Sequence, residues 1–221
     1  MKRLVIIASL VILMIPIAEA RRKRDKAGDI KKDEYVDKKF GFSLKMDVDW
    51  KVKINDNDDP FRLVLVQKNY LIPTDYADAP DYTKVPRIVV YADTTSMPVF
   101  GFVDSLLSDS YDSDQKNEVR KEFEILWEQD LTPRSEDRTE IDGEPAVVWT
   151  GQSQYVKEVS TSAGSLGGKR VYGTYGGGII GVKKGDTMVL FHVMSEWQYF
   201  DSIMQKTLAI ASSLKFNGGQ E

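Results

Sequence analysis

Few residues in this chain are equipped for chemistry. It has no cysteine and one histidine, His192, which removes thiol nucleophiles, disulfides, redox pairs and cysteine-bound zinc. His192 alternates with Leu190 and Met194 in an apolar run, so it reads as a packed or edge-of-sheet residue of a strand. A Ser-His-Asp system would have to be built on it, and no Gly-x-Ser-x-Gly elbow occurs. Ser113 and Lys116 stand as Ser-x-x-Lys near a helix start, without either companion motif of that catalytic class. "GSLGGKRVYGTYGGGII", residues 164 to 180, is glycine-rich but not a phosphate loop. Gly164 lies four rather than five residues before Gly168, and Arg170 follows Lys169 where the motif needs Ser or Thr. These glycines fit a flexible hairpin tip at 160 to 168. A strand follows in which Gly173 and Gly176 to Gly178 allow a bulge or close backbone approach.

Two acidic clusters, Asp56 to Asp59 and Asp109 to Asp114, lack the glycine and terminal glutamate of a calcium loop. They read as solvated turns, with weak calcium binding as a minor option. The segment from Asn69 to Pro86 is different. It holds three prolines and no helical or strand period, and it is long beside a usual connection of about 4–6 residues. Tyr70, Tyr76 and Tyr82 lie on it, and tyrosine is favoured at interfaces. These three are the candidate partner-binding residues; the alternative is that their rings pack back on the sheet. No catalytic residue, metal ligand or cofactor is assigned.

Period-two runs and turn residues supply the elements that would hold such a loop. Phe40, Phe42, Leu44 and Met46 alternate, an acidic turn follows, and Trp50, Val52 and Ile54 resume the alternation. Phe61 to Lys68 and Arg87 to Thr94 read as strands. Val99, Phe102, Val103, Leu106 and Leu107 fall at i, i+3, i+4, i+7 and i+8, an amphipathic helix with Pro98 near its first turn. Asp112 to Lys121 reads as a polar helix; 122 to 129 either continues it or, since Phe123, Ile125 and Trp127 alternate, forms a strand, the preferred reading. Asp142-Gly143 in "TEIDGEPAVVW" predicts a two-residue hairpin. Lys169 to Val182 and Thr187 to Met194 form a second hairpin around Lys184-Gly185-Asp186. Ser195 and Gln198 have capping-box spacing. The helix after them should bury Phe200, Ile203, Met204, Thr207, Leu208 and Ala211. Ser213 to Phe216 is a closing strand. Seven to nine mostly hairpin-linked strands, with helices between some, predict an α+β domain on a central antiparallel sheet.

The ends of the chain carry a different signal. Met1-Lys2-Arg3 is basic, Leu4 to Ile17 is apolar or small throughout, and Ala18-Glu19-Ala20 is a small-x-small cleavage site. That is the pattern of a secretory signal peptide over residues 1–20; the apolar run is short of the ~20 residues of a membrane span. An uncleaved anchor is the alternative, because Arg21, Arg22, Lys23 and Arg24 put more positive charge after the run than before it. Residues 21–34 read as a flexible basic leader, suited to weak electrostatic contact with anionic lipid or cell-wall polymer. A single domain should follow over 35–217, with a tail at 218–221. Without residues 1–20, 28 Lys and Arg face 33 Asp and Glu, a net charge of −5. A mildly acidic, well-mixed surface gives nucleic acid no basic face to bind.

Three of these segments together resemble one family. "FGFSLKMDVDWKV" is similar to the aromatic-Gly-Phe-x-Leu, turn, Trp-x-Val opening of PsbP-like (Mog/PsbP/DcrB-type) domains. "TEIDGEPAVVW" resembles their central Ile-x-Gly-x-Pro-Ala hairpin, and "YFDSIMQKTLAIASSLKF" their closing helix and strand. The chain departs from the pattern at Asp47, where a proline often stands, and in the 69–86 insertion; it carries no photosynthetic motif. The resemblance implies an antiparallel sheet with helices on its faces, an α/β/α sandwich, and mostly non-enzymatic accessory or binding roles. The sequence thus predicts a periplasmic or extracellular binding or accessory module of the cell envelope, its partner another protein or an envelope component. A carboxylate- or metal-dependent hydrolase is one alternative. An envelope structural component tethered by the basic leader is another.

Overall fold

The computed structural model describes residues 25–56, 60–68, 86–107, 132–159 and 169–217, with backbone alone at 107, 153–159 and 169–173. Strand dominates. Seven strands form one antiparallel sheet: β4 (Trp50–Ile54), β5 (Phe61–Gln67), β6 (Arg87–Thr94), β10 (Thr187–Glu196), β9 (Lys169–Lys184), β8 (Glu144–Val159) and β7 (Thr132–Ile141), in that spatial order. Four short strands form a second sheet in the order β1 (Gly28–Lys31), β2 (Glu34–Asp37), β3 (Phe42–Lys45) and β11 (Lys215–Phe216). Two helices complete the described residues, α1 (Val99–Leu107) and α2 (Trp197–Ser212).

The central strands read as continuous apolar runs because both faces of the large sheet are covered. Successive side chains point to opposite faces, and the buried residues separate accordingly. Leu63, Leu65, Ile88, Val90, Val189, Phe191 and Ile180 pack with α2 and the small sheet. Val64, Val89, Tyr91, Leu190, Ile179 and Trp149 pack with Val99, Val103 and Leu106 of α1. A small sheet shares the α2 side, so a sandwich of helix, sheet and helix describes the layers incompletely.

Both predicted hairpins form. Asp142 and Gly143 have φ of 55° and 77°, and Gly185 has φ of 55°, the region these turns require. Ile141 pairs with Glu144, and Thr187 with Lys184. The β9 glycines let α2 approach the sheet. A Cβ added at Gly176 would lie 2.1 Å from Phe200 Cγ, and one at Gly178 2.8 Å from Met204 Sδ.

Three expectations need correction. The stretch read as leader is partly folded: Ala27 is fully buried and β1 pairs with β2 from Gly28 to Lys31. Most of β1 is exposed, so it lacks the alternation that would betray it. Second, the described residues alone form eleven strands, more than the seven to nine expected. At the Asp47 turn β3 joins the small sheet and β4 the large one, so the turn is where the chain changes layer. Third, Ser195 is no helix cap. It remains in the ladder opposite Gly176, its hydroxyl donates to the Glu196 carbonyl at 3.0 Å, and the helix begins after Glu196 without a side-chain cap. A missing cap costs about 1 kcal/mol. Burial of Phe200, Ile203, Met204 and Ile210, at about 1.5–3 kcal/mol each, outweighs it. Leu208, expected inside, is only partly buried, and Ile210 takes the core position.

Candidate functional site

The most connected polar group in the described residues is internal. Arg62 and Asp37 are both fully buried and join the two sheets through Nε to Oδ2 at 2.7 Å and Nη2 to Oδ1 at 3.2 Å. Arg62 Nη2 also donates to the Ala27 carbonyl at 3.2 Å. Asp37 further accepts the Tyr35 hydroxyl at 2.8 Å and the amides of Lys39 and Phe40 at 2.9 and 2.8 Å. Burial, followed by the Asp37 charge, raises the Tyr35 pKa far above the usual phenol range. A bulge puts Arg62 there. Phe61 opposes Tyr91 and Leu63 opposes Val90, leaving Arg62 as the extra residue in the ladder. This cluster is sealed from substrate, and its chemistry is that of a structural clamp.

His192 is 2 % exposed and opposes Val89 and Ile179 within the sheet. Burial, and then the positive charge of Arg87, lower its pKa to about 3. A neutral imidazole packed on both sides cannot act on a solvent-borne substrate. Arg87, also buried, places Nη2 3.4 Å from Met194 Sδ. Among the described residues no three His, Cys, Asp or Glu side chains converge on a metal position.

Tyr70, Tyr76, Tyr82 and the run Arg21 to Arg24 lie outside the described residues, as do Ser113, Lys116 and the Asp109–Asp114 cluster. The roots of the tyrosine loop are described. Gln67 N donates to the Pro86 carbonyl at 3.2 Å, and Lys68 N to the Asp49 carbonyl at 2.8 Å. They sit at one end of the large sheet. A row of backbone pairs crosses that end, from Trp50 with Gln67, through Val66 with Arg87, Arg87 with Met194 and Met194 with Gly177, to Gly151 with Pro133.

Two further features share this end. Among the described residues β8 and β9 pair beyond their neighbours: they run from Ser153 with Tyr175 to Val159 with Lys169, whereas the described part of β7 begins opposite Gln152 and β10 ends opposite Tyr175. At about 3.3 Å per residue this β8–β9 arm is roughly 20 Å long. At its root Trp197 stacks on Phe200 with centroids 6.0 Å apart. Arg134 lies over the Trp197 ring at 4.7 Å and pairs with Asp201 at 3.2 Å, and Tyr199 is 46 % exposed. The loop and the glycine-rich hairpin therefore leave the same end of the sheet, with β10 between their roots. Sequence reading missed Arg134, Trp197 and Tyr199. Trp197 packs half-buried against the core at the start of α2, and Tyr199 lies off the α2 stripe, where an exposed aromatic was the signal to notice.

No family model and no curated protein matches the chain. Among solved structures it is similar to cyanobacterial PsbP (CyanoP) from Synechocystis sp. PCC 6803, at 12% identity and a TM-score of 0.43, over 86% of this chain and 96% of that one. It is also similar to LpqN of Mycobacterium tuberculosis, a protein involved in cell envelope biogenesis, at 11% identity and a TM-score of 0.41, over 79% and 82%. The chain thus resembles a PsbP structure as well as the PsbP-like sequence motifs. A likeness at this level carries no inference about binding or activity.

Proposed function

We propose that this protein is an exported, non-catalytic binding or accessory module of the cell envelope, and that it holds a protein or envelope component at the arm end of its large sheet. One observation supports this reading above others. The roots of the 69–85 loop, the base of the β8–β9 arm, exposed Tyr199 and the half-buried Trp197 under the Arg134 guanidinium share that end. Trp, Tyr and Arg are the residue types that dominate binding hot spots, and extended loops carried on a rigid sheet are the usual place for them. The basic run Arg21 to Arg24 adds electrostatic contact with anionic lipid or cell-wall polymer, at about 1 kcal/mol per residue near a charged surface.

Export follows from the leader pattern of residues 1–20, and none of the described helices is long and apolar enough to cross a membrane. Intact-mass analysis of the exported chain should find a protein beginning at Arg21. A species retaining Met1 to Ala20 and released only by detergent would make the leader an anchor.

The binding reading is tested by replacing Tyr70, Tyr76 and Tyr82 together with serine. Thermal stability should stay within about 2–3 °C of wild type, since surface changes are usually worth under ~0.5 kcal/mol. Capture of partners from envelope extract should be lost. An unfolded variant would assign the three rings to the core. A folded variant that still captures the same partner would move the contact to the arm.

A further inference from the structure

The seven-stranded sheet ends on β7, and among the described residues β7 pairs with β8 alone. Every residue from Thr132 to Glu140 is exposed. Charges on an edge strand ordinarily keep other strands away. Here their order does the reverse for one partner. From Ser135 to Thr139 the strand reads Ser-Glu-Asp-Arg-Thr. Laid antiparallel on itself about Asp137, it sets Ser135 against Thr139 and Glu136 against Arg138, each pair occurring twice. Shifting the centre by one residue spoils the match. About Glu136, Arg134 meets Arg138; about Arg138, Glu136 meets Glu140.

Backbone parity agrees with this register. The two-residue turn makes Ile141 and Glu144 a hydrogen-bonded pair, so bonding to β8 falls on Ile141, Thr139 and Asp137. Pro145, which has no N–H, stands opposite Glu140, where the ladder needs none. Glu136, Arg138 and Glu140 therefore turn their N–H and C=O groups outward. Centring on Asp137 makes Glu136 and Arg138 of the second copy a hydrogen-bonded pair, which also aligns opposite charges. Within one chain Arg138 Nε already lies 3.7 Å from Glu136 Oε1, with both side chains solvent-accessible. The Arg138 guanidinium also lies over the Phe100 ring at 4.4 Å, so pairing across the axis asks Glu136 to exchange partners and Arg138 to add one.

We propose that the β7 edge is a self-association surface whose occupant is a second copy of this chain. The two sheets join antiparallel about a two-fold axis through Asp137. Such an axis gives a closed dimer, because each β7 edge is used once. The register shift between Pro133 and Ser135 limits pairing on one side, since a bulge breaks the ladder. The axis brings Asp137 against its own copy, a like-charge contact that weakens the pair. The interface is short, so the dimer falls in the weak class. This surface runs along the sheet's long edge and is independent of the arm end.

Sedimentation equilibrium on the exported chain, up to about 0.5 mM, tests it. Wild type should reach a monomer–dimer equilibrium that weakens as salt rises. Arg138→Glu and Glu136→Arg should each weaken it at least tenfold, and the double swap E136R/R138E should restore it, which no effect on folding alone would do. Asp137→Asn should tighten it several-fold. A wild type monomeric throughout, or a dimer indifferent to all four variants, overturns the proposal.

Discussion

Removing both halves of the Arg62–Asp37 clamp should cost less than the sum of cutting each side alone. Arg62→Met keeps the length of the side chain but leaves a fully buried carboxylate with three remaining donors, the Tyr35 hydroxyl and the Lys39 and Phe40 amides. Losing the counter-charge of a buried pair costs about 3–5 kcal/mol. Asp37→Leu is worse, because it strands the guanidinium and also removes the acceptor of the Tyr35 hydroxyl, an orphaned group worth about 1–3 kcal/mol. The double variant Asp37→Leu/Arg62→Met removes both charges together and refills the space with apolar atoms. It should recover about 2–4 kcal/mol relative to the sum of the single effects, since an uncompensated buried charge dominates the loss in each single variant. Urea denaturation of the four proteins gives the cycle, with the m-value checked for constancy. Against a total stability of about 5–15 kcal/mol, each single change should be visible as a large fall in midpoint. A coupling below ~0.5 kcal/mol would place the pair with solvent-screened surface bridges and refute its role as the clamp between the sheets.

Gly176→Val should cost about 1–3 kcal/mol, because its Cβ would begin 2.1 Å from Phe200 Cγ and push α2 off the sheet; chemical denaturation reads the loss. Gly143→Val should cost a similar ~1–3 kcal/mol from φ of 77° alone, since no atom lies within 4 Å of the added Cβ. Gly143→Asn, which tolerates that region, should then lose far less, and equal losses would contradict the backbone explanation. His192, held neutral to a pKa of about 3 against 6.5 when unfolded, contributes stability that is full above pH 6.5 and is lost as pH falls toward 3. Stability-pH curves of wild type and His192→Leu should diverge across that window, by on the order of 5 kcal/mol at its acid end. Parallel curves would mean that the imidazole is not sealed.

How far the chain was legible follows from the reach of each signal. Asp142-Gly143 and Gly185 announce their turns because positive φ is a property of one or two residues. Arg87 to Thr94 announces itself as a short, nearly continuous run of strand-forming residues, the mark of a strand buried on both faces. Glycines 176 and 178 were half legible: their size predicts a close approach, but Phe200 and Met204, which make it, arrive on a later helix. Arg62 and Asp37 were not legible, since 25 residues separate them, each has nearer opposite charges along the chain, and the bulge that turns Arg62 inward depends on β6. Asp142 shows the same limit. Its carboxylate accepts Lys215 Nζ at 2.6 Å and the Phe216 amide at 3.1 Å, tying the central hairpin to the last strand. Its lowered pKa, due first to Lys215 and then to that amide, records a contact across 73 residues of chain. The candidate site divides in the same way. Its tyrosines and glycines stand out by composition. That the loop and the arm leave the same end of one sheet depends on a strand order that places β6 beside β10 and not beside β7.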